Sequence, residues 1–140
     1  FTMDINQVRC GMYITPKKRP KFGYDKFIET ARLHGVIIVD LDLEGDVSNL
    51  PTNLDAILHK ITDDYAKSSS SEIAGQRYDA FNACIKMNPR AVVIDPMEGI
   101  IPLLNRTAMQ GALENAISAS KVPFRVPRWL TLPCVPPGDE

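Results

Sequence analysis

Basic side chains follow three of the apolar segments from which this chain could build β-strands. They are, in chain order, Lys17, Lys18, Lys60 and Arg106. In an open parallel sheet the carboxyl ends of all strands lie at one edge, where ligands usually bind. Cations that reach this edge from separate loops would form a site for a multiply charged anion, and phosphate groups match that chemistry best. Because the net charge is only -1, this positive charge would be local.

Each basic residue also has an ordinary structural explanation. The cluster Lys17–Lys21 could be a solvated basic loop. His59, next to Lys60, could contact a phosphate directly or pack at the end of its strand with a hydrogen bond to backbone. Arg106 could bridge to Glu114, although a cation gains nothing from the dipole at a helix start.

The strands that would place these residues alternate with helices. Apolar runs predict four strands, at residues 8–14, 36–39, 54–60 and 91–94. The β-branched run 36–39 is typical of a strand buried on both faces of a parallel sheet. We therefore predict an α/β fold with a small open parallel sheet of about four strands flanked by helices.

Apolar spacing and capping patterns predict the helices. One helix starts at Tyr24 and ends at Gly35, and a second covers about 74–88. Two capping-box patterns, at Asp95 and Thr107, predict the starts of two more. The polar segment 63–72, with four serines, is typical of a mobile loop. A last strand is possible at 126–132.

Composition and missing motifs limit the possible functions. At 140 residues, 44% hydrophobic and 24% charged, the chain has the profile of one soluble domain without a membrane span, and its charge balance does not favour nucleic-acid binding. The three cysteines, Cys10, Cys84 and Cys134, have no metal-ligand spacing and suit a reducing compartment. A nucleotide-binding glycine-rich loop and a set of metal-holding carboxylates are also missing, so the residues favour phosphate binding without phosphate transfer.

Several segments, in order and at matching spacing, resemble one known family. They are the segment Gly11–Lys18, the segment Leu54–Asp63 with its His-Lys-Ile-Thr-Asp end, the pair Asn88-Pro89, the segment Val92–Pro96, the segment Leu103–Arg106 and the segment Val126–Arg128. Together they resemble the N-terminal domain of the inositol 1,3,4-trisphosphate 5/6-kinases, also called inositol-tetrakisphosphate 1-kinases. The likeness covers about residues 8–132.

The resemblance implies a pre-ATP-grasp, Rossmann-like N-terminal domain of a cytoplasmic kinase that phosphorylates soluble inositol polyphosphates. By matching position, Lys18 and Lys60 would bind substrate phosphates, with Lys17 and His59 as neighbours. Arg106 would reach the nucleotide or the transferring phosphate. ATP and Mg²⁺ would be cofactors of the full-length enzyme and would not bind to this segment alone, and the partners would be inositol polyphosphate and the ATP-grasp domains of the same chain.

The same resemblance predicts the domain organisation. Residues 1–120 would form the N-terminal substrate-side domain, and residues 121–140 would begin the ATP-grasp central domain. We expect an N-terminal part of a longer kinase that is inactive alone. The alternatives are a non-catalytic phosphate-binding or interaction module of the same fold and, less well supported, a flavodoxin-like or receiver-like domain.

Overall fold

The computed structural model describes residues 7–120 and 125–130 and divides the chain into two compact units, which meet in sequence at Pro96 and Met97. The elements of the first unit are strand β1 (Val8–Tyr13), helix α1 (Arg19–Phe22), helix α2 (Tyr24–Leu33), strand β2 (Val36–Asp40), a 3₁₀ turn (Val47–Asn49), strand β3 (Ala56–His59), helix α3 (Thr62–Lys67), helix α4 (Glu72–Met87) and strand β4 (Val92–Ile94). The predicted α/β class is confirmed.

The four strands form one sheet in the order β2-β1-β3-β4, and every neighbouring pair is parallel. All four carboxyl ends therefore lie at one edge, as the sequence predicted. β1 and β3 occupy the centre, with Tyr13 directly opposite His59. This order makes the loops after β1 and β3 neighbours, although more than 40 residues separate them in the chain.

Helices cover both faces of the sheet because successive side chains of a strand point to opposite sides. On one face, Met12 and Ile14 pack with Tyr24 and Phe27 of the α2 side. On the other face, the ring of His59 packs 4.6 Å from the ring of Phe81 in α4. Burial of this apolar surface supplies most of the driving force for the fold.

Two glycines of the first unit have structural reasons for their place. A Cβ on Gly11 would lie 2.6 Å from Leu54 Cδ1 and 3.1 Å from Leu41 Cδ2, so only glycine lets both leucines approach β1. Gly35 has a φ of 76°, the left-handed conformation that ends a helix. The predicted end of α2 at this glycine is confirmed.

The segment 63–72 is not the loop that its polarity predicted. Residues Thr62–Lys67 form α3, and the Ser71 side chain accepts from the N–H of Ala74 to cap α4. Two acids in the first turn, Asp63 and Asp64, are a helix-start signal that the serine-rich composition masked.

The outer strands are also more exposed than predicted. Among the strands of residues 7–120, β2 and β4 each have one neighbour, so they form the two edges of the described sheet. In β4, Val92 and Ile94 are exposed. The prediction that 36–39 is buried on both faces is wrong, because β2 lies at an edge, where Ile37 is exposed.

The second unit contains helix α5 (Met97–Leu104) and helix α6 (Arg106–Ala119). Pro102 lies inside α5, which ends two residues later, as expected for a proline. The side chain of Asn105 caps α6 by accepting from the N–H of Ala108 at 3.0 Å, so the predicted cap at Thr107 is wrong. Residues 126–130 form no strand, and residues 131–132 lie outside the described part.

Other expectations concern membrane spans and thiols. Within the described residues, no helix combines the length and apolar character that crossing a membrane requires. Cys10 and Cys84 are buried free thiols, and burial raises the pKa of both. Cys134 lies outside the described residues.

Candidate functional site

The loops after β1 and β3 begin side by side at the carboxyl edge of the sheet. The backbone N–H of Lys60 donates to the carbonyl oxygen of Tyr13 at 2.9 Å, which extends the pairing of the two strands by one residue. β3 itself ends at His59, one residue earlier than predicted. The structure therefore brings the predicted residues of both loops to the same edge of the sheet, which we call the β1/β3 edge.

Lys18 is held at this edge by an acidic partner from α3. Its Nζ contacts Asp63 Oδ2 at 2.5 Å, and the two side chains are 42% and 58% exposed. The Lys18 N–H also donates to the Thr15 carbonyl at 2.8 Å, which shapes the turn after β1. Because the ion pair is exposed, we expect it to stabilise the fold by no more than about 1 kcal/mol.

Lys17 and Lys60 have no such partner. Both are exposed, and neither side chain forms a hydrogen bond or ion pair with any residue in 7–120 or 125–130. A lysine ammonium is a compact charge with three donors on a flexible stem. The two side chains are thus free to contact an anion that approaches the β1/β3 edge.

Arg19, in the same basic cluster, is committed to the fold. Its Nε donates to the Ile14 carbonyl at 3.2 Å, and its Nη1 lies 3.2 Å from Asp40 Oδ2. The guanidinium also stacks over the ring of Tyr24, 4.6 Å from the centroid, and the Tyr24 hydroxyl donates to Asp40. The cluster therefore divides into a structural arginine and lysines that face solvent.

His59 is buried rather than displayed. It is only 5% exposed, and its Nε2 lies 3.0 Å from the carbonyl oxygen of Asp95. Since a carbonyl only accepts, Nε2 carries the proton and Nδ1 is left as a bare acceptor. Nδ1 is buried with no hydrogen-bond partner among the described residues.

This environment favours the neutral imidazole. Burial is the largest influence and lowers the pKa of His59, the hydrogen bond to Asp95 and the charge of Asp95 oppose it in part, and the charge of Lys60 lowers the pKa slightly further. The ring thus offers no free N–H to a phosphate in this arrangement. The arrangement matches the packed alternative, and the role of His59 in substrate binding stays a prediction.

Beneath the β1/β3 edge lies a buried polar network, which the sequence did not predict. The Tyr13 hydroxyl donates to Asp64 Oδ2 at 3.0 Å, and Arg77 Nη1 lies 3.2 Å from Asp64 Oδ1. Arg77 also reaches Glu44 Oε1, 2.5 Å from Nη2. Asp64 is only 5% exposed. These contacts join β1, α3, α4 and the loop after β2.

The network sets the ionisation of its own members. Burial, and next the adjacent Asp64 carboxylate, raise the pKa of Tyr13. The hydrogen bonds to Glu44 and Asp64 raise the pKa of Arg77. Tyr13 therefore stays a donor and Arg77 a cation at neutral pH.

The β2 side of the same edge is acidic. A cavity of about 270 Å³ lies at the ends of β1 and β2, and its lining includes Asp40, Asp42 and Glu44. The edge thus divides into a basic part after β1 and β3 and an acidic part after β2.

A larger groove lies away from the predicted residues. It has a volume of about 620 Å³, and Val47, Ile73 and Ala80 form part of its lining together with Arg77. None of the predicted site residues contributes to it. Size alone therefore does not locate the candidate site, since the lysines stand on an open edge that a flat, charged ligand could approach.

Arg106 belongs to the second unit. It is the first residue of α6 and is exposed. Its predicted contact with a nucleotide is not tested by the structure and stays a prediction. The domain boundary predicted at residue 120 also stays a prediction.

Comparisons with known proteins agree on one family. Residues 9–100 match the family model described as the inositol 1,3,4-trisphosphate 5/6-kinase pre-ATP-grasp domain. Over 100 residues the chain is 28% identical to an inositol-tetrakisphosphate 1-kinase of Xenopus laevis, with 71% of this chain and 25% of that protein covered. Over 99 residues it is 26% identical to the Danio rerio protein of the same name, with 70% and 25% covered. The chain thus spans about a quarter of the length of these curated relatives.

Proposed function

The chain belongs to the inositol 1,3,4-trisphosphate 5/6-kinase pre-ATP-grasp domain family, and on this premise we propose that it is the substrate-side domain of an inositol polyphosphate kinase. The intact enzyme would transfer the γ-phosphate of ATP to a hydroxyl of an inositol tris- or tetrakisphosphate. The observation that carries the proposal is the β1/β3 edge, where Lys18 and Lys60 reach solvent from two neighbouring loops.

Lys18 and Lys60 act in this proposal as a clamp for substrate phosphates. Lys60 is free to move toward a ligand, whereas Lys18 is already held by Asp63, which occupies only one of its three N–H donors. Lys17 adds charge beside the clamp. Such a clamp orients the inositol ring and screens its negative charge, which brings the reacting hydroxyl to a fixed position.

The proposal assigns ATP and Mg²⁺ to the ATP-grasp domains of the whole kinase. Within residues 7–120 and 125–130, no group of three or more His, Cys, Asp or Glu side chains is placed to hold a metal ion. The work of this segment is then to bind and orient the substrate. Arg106 would add a guanidinium for a nucleotide phosphate.

Isothermal titration with an inositol tetrakisphosphate tests the clamp. We expect Lys18→Ala and Lys60→Ala each to weaken binding about 10- to 100-fold, as loss of one hydrogen bond to a charged group predicts. The loss should be larger at low salt, because salt screens exposed charges. The control is Lys86→Ala near the end of α4, next to the amino edge of the sheet, which should bind like the wild type. Unchanged binding by the double variant of Lys18 and Lys60 would refute the proposal.

A further inference from the structure

Asp63 is the one acidic group in direct contact with the proposed clamp among the described residues. Its Oδ2 lies 2.5 Å from the Nζ of Lys18, and its side chain is 58% exposed. The substrate clamp therefore includes a negative charge, although a polyanionic ligand gains nothing from one.

We propose that Asp63 is a specificity-determining counter-charge, which lowers the affinity of the β1/β3 edge for inositol phosphates and lowers it more as the ligand carries more phosphates. The inference rests on the proposed function, because it requires that Lys18 binds a ligand phosphate. Asp63 itself makes no favourable contact with the ligand.

The geometry forces this repulsion. A phosphate oxygen that accepts from Lys18 Nζ at a normal distance of about 2.8 Å lies within about 5 Å of Asp63 Oδ2, unless the ion pair opens. If the pair stays closed, the phosphate charge faces the carboxylate across this short distance. If the pair opens, the free energy needed to separate Lys18 and Asp63 reduces the favourable free energy of ligand binding. Both routes weaken ligand binding.

The arginines near this edge already have acidic partners, so the charge of Asp63 has a larger effect on the remaining cations. Arg19 is paired with Asp40, and Arg77 is paired with Glu44 and Asp64. Within the described loops after β1 and β3, the cations without such a partner are Lys17 and Lys60. Because this edge has few unpaired cations, removal of the Asp63 carboxylate changes its net charge substantially.

Asp63 also has a small structural role, because a carboxylate in the first turn of α3 gains about 0.3–1 kcal/mol from the helix dipole. The next residue, Asp64, makes the buried contacts that hold α3 to β1 and α4. The exposed Lys18–Asp63 pair contributes little to folding by comparison. A counter-charge has a clear use in a kinase, because phosphoryl transfer adds negative charge to the ligand and the product is then repelled more strongly than the substrate.

Titration of the 140-residue chain with an inositol trisphosphate and with inositol hexakisphosphate tests the inference. At about 5 Å and physiological salt, each unit of ligand charge near a removed carboxylate changes affinity about twofold. Asp63→Asn should therefore tighten trisphosphate binding about 3-fold and hexakisphosphate binding by a larger factor. Asp63→Ser should act in the same direction. Because serine is shorter, this variant shows the effect even if the asparagine of Asp63→Asn still holds Lys18.

The matched control is Glu29→Gln, which removes the same charge from an exposed position in the middle of α2. It should change either affinity by less than twofold. An equal gain from Glu29→Gln would overturn the inference, because the effect would then be one of net charge. Unchanged or weaker binding by both Asp63 variants would overturn it as well.

A double-mutant cycle separates this inference from the proposed function. In the Lys18→Ala background, Asp63→Asn should lose part of its effect, because no phosphate is then held by Lys18 within about 5 Å of Asp63. If Lys18→Ala and Lys60→Ala leave binding unchanged, the clamp itself is wrong. If they weaken binding but Asp63→Asn does not strengthen it, only the role of Asp63 is wrong.

Discussion

Asp63 and Asp64 are adjacent in α3 but belong to two different regions of the molecule. Asp63 lies on the exposed β1/β3 edge, where it pairs with Lys18. Asp64 lies in the buried layer beneath, between Tyr13 and Arg77. The same type of side chain is therefore exposed beside a lysine at one position and buried between two partners at the next, and exposure to water decides how much each charge contributes to stability.

The buried layer holds several elements of the fold together, whereas the edge above it is exposed to solvent. In the layer, two oxygens of one carboxylate accept from different elements, so the loss of Asp64 removes the acceptor of the Tyr13 hydroxyl and one of the two acidic partners of Arg77. At the edge, a lost partner is replaced by water. Three experiments test this difference, beginning with the one that should show the largest effect.

Asp64→Ala should destabilise the protein by about 2 kcal/mol, because the buried Tyr13 hydroxyl loses its acceptor and Arg77 keeps only Glu44 as an acidic partner. Chemical denaturation measures the change in the free energy of unfolding. Asp63→Ala is the adjacent control and should cost less than about 1 kcal/mol. Equal costs for the two alanine variants would remove the distinction between the regions.

The lowered pKa of the buried His59 predicts how the free energy of unfolding depends on pH. Burial lowers the pKa of His59 below the value of about 6.5 that it has in the unfolded chain. The unfolded chain then binds the proton more readily, so stability is full above about pH 6.5 and declines as the pH falls toward the folded pKa. The decline attributable to His59 is at most about 1.4 kcal/mol per pH unit.

Unfolding measured between pH 7.5 and pH 5 in wild type and His59→Gln isolates this contribution. The glutamine variant should lose stability less steeply on acidification, whatever its stability at neutral pH. A wild-type slope in His59→Gln would place the acid sensitivity elsewhere.

The smallest expected effect is the contribution of the Lys18–Asp63 pair to folding. A double-mutant cycle with Lys18→Ala and Asp63→Ala should give a coupling of about 0.5 kcal/mol in the free energy of unfolding, decreasing with added salt. A coupling above about 2 kcal/mol would show that the edge is as rigid as the buried layer. Asp63 would then be a structural residue.

Local patterns predicted much of the fold because they report on neighbouring residues. Apolar runs located all four strands, and the left-handed position of Gly35 ended α2 as expected. The polar composition of residues 63–72 predicted a loop where the structure has α3. The two acids in the first turn of α3 were the better signal of a helix start. The composition of an apolar run also could not distinguish a central strand from an edge strand, so β2 was predicted to be more buried than it is.

The sequence by itself determined that the sheet is parallel and that Lys18 and Lys60 follow two of its strands. The tertiary structure alone decided that β1 and β3 are neighbours, and hence that Lys18 meets Asp63. It also decided that Asp64 is buried with Tyr13 and that the Nε2 of His59 is used by Asp95. These contacts join residues 36 to 51 positions apart, and such pairs depend on strand order and packing, which no local pattern encodes.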